Sequence, residues 1–315
     1  MITNFSIASD FENMYAIHFN AQVEQVLANN LSFTAGFIRS NGRHIPTYRS
    51  INRRTNGLTL ADGRPRFDTT AAGRVDPRFN NIILTESGGN STYNALTLQL
   101  NKRFSQGYQF SANYTLSKAE DNAPEQNLVA TQAGNLVVQD PTNRNRDFGP
   151  SLADQRHTFV MSFVGRPTFN FESSVLNYLV NNNQLGIIAT ANSGERFNII
   201  GVTTTSTDLN GDGVGNVDNP VGVGRNSGKT PKQFNVDLRY SRYFNFTERY
   251  KLEFFAEAVN IFNINSVFQL NNLTVTTDSQ GNPLQPLPSF ATNKAANTVT
   301  SLDSRQAQIG FKFIF

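Results

Sequence analysis

Three stretches of this sequence carry residue types at spacings that could do chemistry. Asp208-Leu209-Asn210-Gly211-Asp212-Gly213 sets oxygen ligands at alternate positions before a turn glycine, as a calcium loop does. Asn216 would stand at the ninth position of that loop, but Asn219 occupies the twelfth, where a bidentate Glu is expected. No flanking helices are predicted, so an Asx-stabilised turn is the stronger of the two readings. Calcium is the only cofactor the sequence raises. Gly222 to Thr230 approximates the phosphate-loop pattern, yet Val223 stands where its first glycine is required and a strand follows in place of a helix. Nucleotide binding is excluded. His18, His44 and His157 lie far apart without a Ser or Asp at suggestive spacing, and there is no cysteine. No catalytic residue and no enzymatic activity are expected.

The better functional lead is a set of charges on neighbouring strands. Asp237 and Arg239 share a face with Glu253 and Glu257 when both segments are extended. A turn centred on Phe246 would set Arg239 opposite Glu253 and Asn235 opposite Glu257. Such a set braces a sheet as a cross-strand ion pair, or touches a substrate or plug in a lumen. Elsewhere the 27 basic and 24 acidic residues nearly balance and are scattered, which points to no nucleic-acid partner.

The elements that would position these residues alternate with period two. Tyr15, Ile17, Phe19, Ala21 and Val23 interleave with polar residues, as do Leu31, Phe33, Ala35 and Phe37 after Asn29-Asn30. Leu96, Leu98 and Leu100 are followed past Ser105-Gln106-Gly107 by Tyr108, Phe110, Ala112 and Tyr114. A hairpin about Gln106 puts Leu100 against Ala112 and Leu98 against Tyr114, with Asn101 against Ser111 and Gln99 against Asn113 on the other face. Further strands are expected at His157 to Gly165, Leu185 to Asn198, Phe234 to Phe244, Arg249 to Phe262 and Ser304 to Phe315. A turn of helix is expected at Ser174 to Val180. These strands reach the roughly 9 to 11 residues that cross a membrane, longer than the roughly 5 or 6 of ordinary sheets.

Mean hydropathy is −0.39 although Phe and Tyr number 26 and 9. No apolar run is long enough for a transmembrane helix. A transmembrane β-barrel reconciles the two, because only alternate residues meet lipid. Short connections at Ala28 to Asn30, Ser105 to Gly107, Arg166 to Gln184 and Asn245 to Glu248 alternate with long ones at Gly42 to Asn90, Ala119 to Asp154, Ile199 to Gln233 and Asn263 to Asp303. That is the pattern of periplasmic turns and extracellular loops. The long connections are read as partly mobile surface loops, notably Thr55 to Asp76 and Thr276 to Asn297. Tyr108, Tyr240, Tyr243, Phe244 and Phe246 near the short turns read as an aromatic girdle. Ile309, Phe311, Phe313 and Phe315 share one face of the last strand.

Several stretches resemble the carboxyl-terminal part of TonB-dependent outer-membrane receptors, the Oar-like group above all. They are Ser91-Thr92-Tyr93-Asn94-Ala95-Leu96 with Asn101-Lys102-Arg103-Phe104, Tyr114-Thr115-Leu116-Ser117-Lys118, Asp154-Gln155-Arg156-His157 and Asn192-Ser193-Gly194. To these are added Glu257-Ala258-Val259-Asn260-Ile261-Phe262-Asn263 and Arg305 to Phe313. The resemblance implies an all-β fold, a partial transmembrane antiparallel barrel supplying about the last nine strands of a 22-strand barrel, with residues 1–315 as one barrel portion. It implies that plug and TonB-contacting segments have no counterpart here, and that Ile309, Phe311, Phe313 and Phe315 act as the signal for the barrel-assembly machinery. Nine strands and the lack of a signal peptide after Met1 lead to the expectation that the natural chain begins further upstream. The implied function is binding and import of an unnamed ligand, with outer-membrane lipid, the assembly machinery and the TonB complex as partners. A surface-adhesion barrel is the alternative.

Overall fold

The computed structural model describes residues 2–123, 137–215, 217–264, 267–269, 273–287, 300–301 and 304–315. Its dominant element is one antiparallel sheet that follows chain order. The strands are β1 (Tyr15–Ala28), β2 (Leu31–Ser50), β3 (Phe79–Ser105), β4 (Tyr108–Asp121), β5 (His157–Gly165), β6 (Asn183–Asn192), β7 (Gln233–Asn245), β8 (Lys251–Val259) and β9 (Gln306–Ile314). Each pairs with its sequence neighbours, so β1 and β9 are the two ends of the path and do not close on one another. Ile2–Ile7 adds a parallel strand on the distal half of β3, and Gly149–Pro150 a short one on β4.

The hairpin about Gln106 has the expected register, with Leu100 against Ala112, Leu98 against Tyr114, Asn101 against Ser111 and Gln99 against Asn113. Its turn places Gln106 at φ 53° and Gly107 at φ 83°. Two left-handed residues in succession match the twist of the flanking strands, which is why a glycine closes the turn. The helix α1 (Ser174–Val180) lies in the β5–β6 link, and Ser173 caps it by accepting the Leu176 amide at 3.4 Å. Arg242 of β7 pins it, donating to the Leu179 and Tyr178 carbonyls at 2.6 Å each.

Registers keep one face mainly apolar and the other mainly polar along the sheet, with Val160 and Ile188 as apolar positions on the polar face. Phe37 faces Leu96 and Leu96 faces Leu116; Tyr114 faces Phe159; Phe163 faces Ile187 and Ile187 faces Leu238; Ala256 faces Ile309 and Phe254 faces Phe311. The opposite face runs through Thr97, Gln99, Asn113, Ser162, Asp237, Glu257 and Gln308. Among the described residues no second layer covers the apolar face: Ile17 is 58 % exposed, Phe19 57 % and Ile309 74 %. A sheet in water would bury that face, whereas lipid makes burial by protein unnecessary.

Four expectations are corrected. First, β2 and β3 run on to Ser50 and back to Phe79, inside the supposed Gly42 to Asn90 loop. The ladder is irregular between Gly42 and Thr47, where His44 sits at φ 56°, and that bulge destroys the period-two signal. Second, the strand expected from Leu185 to Asn198 stops at Asn192, because Gly194 turns at φ 83°. Third, the β7–β8 turn spans Phe246 to Tyr250, so Arg239 stands opposite Glu257, and Tyr243 opposite Glu253. The amides of Phe246 and Thr247 both reach the Tyr250 carbonyl, and this wider turn slides the register by an even number of residues. Every side chain therefore keeps its face. Fourth, Tyr243 shares that polar face with Glu253 and lies under the Arg166 guanidinium at 4.7 Å, so it leaves the girdle.

The long connections are largely a packed layer at one end of the sheet. Ile83, Val137, Val214 and Val217 form one buried cluster there; Phe197, Ile199, Leu273 and Val275 form another. Ile199–Val202 pairs in parallel with Leu273–Thr276. The Thr276 to Asn297 loop lies partly outside the described residues.

Candidate functional site

The loop layer gathers charged side chains from stretches far apart in sequence. Arg64 is 1 % exposed. Its Nε meets Asp62 at 2.9 Å, one terminal nitrogen donates to Gln139 at 3.1 Å, and the other to the Asn219 carbonyl at 2.6 Å. Asp218 stands 3.6 Å away. Three connections are thereby tied to one guanidinium. Arg225 does the same for the β4 end, binding the Asp121 carboxylate and donating to the Asp121, Ala123 and Asp147 carbonyls. Arg196 grips Asp154 through two nitrogens at 3.0 and 2.9 Å. Sequence reasoning missed Arg64, Arg225, Asp147 and Asp218, because each matters only through partners distant along the chain. Arg225 lies inside the rejected phosphate-loop segment, where no helix follows and Gly228–Lys229 pairs with Arg196–Phe197.

The segment read as calcium loop or Asx turn is built of Asx turns. Asp208 accepts the Gly211 and Gly213 amides at 2.6 and 2.9 Å, Asn210 the Asp212 amide at 2.9 Å, and Asp212 the Val214 amide at 2.8 Å. Gly213 is required: it sits at φ 93°, and a Cβ there would lie 2.4 Å from Asn81 Oδ1. Asn216 lies outside the described residues. Among the described residues no three His, Asp or Glu side chains come together as a metal-binding group. Burial raises the Asp208 carboxyl above its ordinary range, and raises Asp212 further with help from the Asp218 and Asp208 charges. Asp218 is pushed up to about 7 by burial, against the pull of Arg64. Burial likewise takes Asp147 to about 6, with Arg225 opposing.

Beside this segment opens a polar cleft of about 610 Å³. Its lining includes Thr203, Thr204, Thr205, Ser206, Arg66 and Asp278. It offers room and hydrogen-bonding groups for a polar ligand.

On the wall, the structure brings Arg239, Glu253 and Glu257 together. Arg239 reaches Glu253 at 3.1 Å and Glu257 at 3.8 Å. Ser241 donates to Glu253 at 2.8 Å, and Gln308 of β9 donates to Glu257 at 2.6 Å. Asp237 stands apart from the pair, accepting from Asn235 and from the Asn260 amide at 2.9 Å each. The arrangement braces three strands on the polar face. Ile309, Phe311 and Phe313 line the opposite face of β9, Phe315 just past its end is 81 % exposed, and Phe311 packs at a tilt against Phe254 at 5.2 Å between centroids. His44 contacts Glu12 at 2.7 Å and His157 contacts Tyr114 at 2.7 Å.

No curated protein sequence matches this chain. Among solved structures, the ferric-catecholate import receptor Fiu from K12 E. coli is similar at 12 % identity and a TM-score of 0.47, over 98 % of this chain and 28 % of its own. The outer membrane transporter YddB from Escherichia coli gives 11 % and 0.48, over 97 % and 33 %. The FrpB iron transporter from Neisseria meningitidis gives 12 % and 0.46, over 98 % and 32 %. The chain spans about a third of the length of these structures. The family model described as outer membrane beta barrel domain matches residues 2–222, more than two-thirds of the sequence. By that match and by its two-faced sheet, this outer-membrane protein belongs to the outer membrane beta barrel domain family.

Proposed function

We propose that this chain is wall and loop cap of a TonB-dependent outer-membrane receptor of the Oar-like group, which binds a ligand at the surface and passes it inward. In this reading the nine-strand path is the carboxyl-terminal part of a 22-strand barrel, the loop layer faces outward, and plug and TonB contact are supplied by other parts of the receptor. The apolar face meets outer-membrane lipid. The polar face, with Arg239, Glu253 and Glu257, lines the lumen. The chemistry is recognition and gated passage with no covalent step.

One observation carries the proposal: the outward loops pack around buried clusters of their own and hold a polar cleft of about 610 Å³. A barrel that served only as an anchor would gain nothing from that construction. A cap built this firmly also suits an adhesion barrel, and energy dependence separates the two. The intact receptor gene would be expressed in cells with and without TonB, supplied with iron chelates and oligosaccharides as probes. Import predicts that depletion of at least one probe from the medium stops without TonB or with a proton uncoupler. Surface binding indifferent to both would overturn import in favour of adhesion.

A further inference from the structure

Adjacent antiparallel strands such as β5 and β6 need a turn of only about two to five residues. Asn29-Asn30, Gln106-Gly107 and Phe246 to Tyr250 are turns of that kind. The β5–β6 link instead runs from Arg166 to Asn182 and builds an extended stretch followed by α1. It stays at the short-turn end of the sheet, away from the loop layer: the Arg166 amide donates to the Gly107 carbonyl at 2.6 Å, and the Tyr243 amide to the Asn182 carbonyl at 2.9 Å.

This unit is built inside out. Asn177 and Asn181 are one turn apart and share a side of α1. Asn177 accepts the Phe171 amide at 2.7 Å and donates to the Phe171 carbonyl at 2.7 Å. Asn181 grips the Phe169 backbone in the same way, at 2.7 and 2.9 Å. The polar side of the helix is thus consumed in clamping the extended stretch, and the apolar side chains are left uncovered. Val175 is 66 % exposed and Tyr178 58 %, while the exposed Phe169 and Phe171 rings stack 5.8 Å apart. Water penalises that arrangement, and an apolar surrounding removes the penalty.

Arg242 identifies the surrounding. It stands on the apolar face of β7, in line with Leu238, Tyr240 and Phe244, and holds α1 to that face through the Tyr178 and Leu179 carbonyls. The uncovered side chains therefore continue the apolar face of the wall. Lys102 stands on the same face beside the Gln106 turn, 3.7 Å from the centre of the Tyr108 ring. Both cations donate to neutral oxygens, and among the described residues neither forms a salt bridge. Glu172 is the one acidic residue between Arg166 and Asn183. Unpaired cations among aromatic rings at the end of an apolar face match the phosphates of lipid headgroups. A second copy of this chain would set cation against cation.

We infer that α1 with Phe169 and Phe171 is an interfacial foot, lying in the lipid headgroup layer at the short-turn side of the membrane. Its apolar side faces the acyl chains, and Arg242 and Lys102 meet lipid phosphates. The inference rests on the sheet being a membrane wall and holds for import and adhesion alike.

The chain has no tryptophan, so Tyr178→Trp gives a single fluorophore at the foot and Leu98→Trp one on the apolar face of the wall. Each full-length variant is refolded into phosphatidylcholine–phosphatidylglycerol vesicles whose acyl chains carry bromine near the headgroup or near the bilayer centre. Tyr178→Trp should emit to the blue of its value in urea and be quenched most by the shallow bromine, since interfacial helices sink about 5–10 Å into that boundary. Leu98→Trp should be quenched by the deeper bromine. Adding Leu176→Asp and Leu179→Asp should abolish quenching at the foot and leave that of Leu98→Trp unchanged. Quenching of Leu98→Trp without any of Tyr178→Trp would overturn the foot, as would foot quenching that survives both aspartates. Quenching of neither would overturn the wall and the foot with it. A blue shift of Tyr178→Trp that appears only at high protein density, without quenching, would assign the face to a second copy and overturn the inference.

Discussion

Arg225 sits in a stretch that imitates a phosphate loop, yet its guanidinium is the nail that fastens the end of β4 to the layer above it. Replacing it with Ala leaves the Asp121 carboxylate without its cation and frees three carbonyls. Breaking a mostly buried pair in this way costs about 3–5 kcal/mol. Hydrogen exchange in Arg225→Ala should show residues 137–155 and 222–230 losing protection while β5 to β9 keep theirs. Uniform loss across the sheet would refute that local role. Asp147 provides a second residue-scale prediction. Its folded pKa of about 6 stands above the ordinary 3.8. Above pH 6 the buried carboxylate is charged and the layer carries the full penalty. As pH falls from 6 toward 4 the folded form takes up its proton first and stability rises, by about 3 kcal/mol in all. Asp147→Asn should remove that share of the acid-side gain, read as a flatter pH dependence of layer melting.

At the scale of elements, β9 makes the sharpest prediction. Its outer face presents Ile309, Phe311, Phe313 and Phe315 at the end of the sheet, paired on one side only. An edge strand templates pairing through its unpaired backbone groups, and we propose that the exposed aromatic residues mark it for the barrel-assembly machinery. Deleting Phe315 from the intact protein should reduce the heat-modifiable, membrane-inserted form on gels; unchanged insertion would sink the role. The strands themselves were largely legible. Alternation located them and pointed to one register. The two-residue turn at Gln106-Gly107 alone would set Leu100 against Asn113, and the bulge between Lys102 and Ser105 brings it back to Ala112. What alternation could not show was the turn from Phe246 to Tyr250, which has no glycine to centre it, or the bulge at His44. Nor could it show the parallel strand Ile2–Ile7, whose partner begins at Phe79. The loop layer was read as partly mobile because its buried apolar residues, such as Ile83, Val137 and Val214, follow no local period. Of the candidate site, Asp208, Asn210 and Asp212 were visible as a motif. Asp218 and the Arg64 that faces it were not, since only the fold brings them together.

For the molecule as a whole, the two faces of the sheet set its place in the cell. Neighbours on one strand test this directly: Leu98 lies on the apolar face and Gln99 on the polar one. Leu98→Arg should destabilise the inserted barrel by about 2–4 kcal/mol, as a cation at mid-bilayer does, whereas Gln99→Arg should change it little. Equal effects, measured by urea unfolding in lipid vesicles, would contradict the assignment of faces.

The ties made by Arg64 and Arg225 reach partners 155 and 104 residues away. On the reading proposed above these connections face out from the cell, where phages and competitors meet a bacterial envelope first, and independent loops there can diversify one at a time. These cannot. A change in one connection removes an acceptor that a guanidinium from another has already desolvated. Variation in this cap should therefore be inherited as matched sets, and recombination that swaps a single loop between relatives should be rarer than exchange of the whole distal layer.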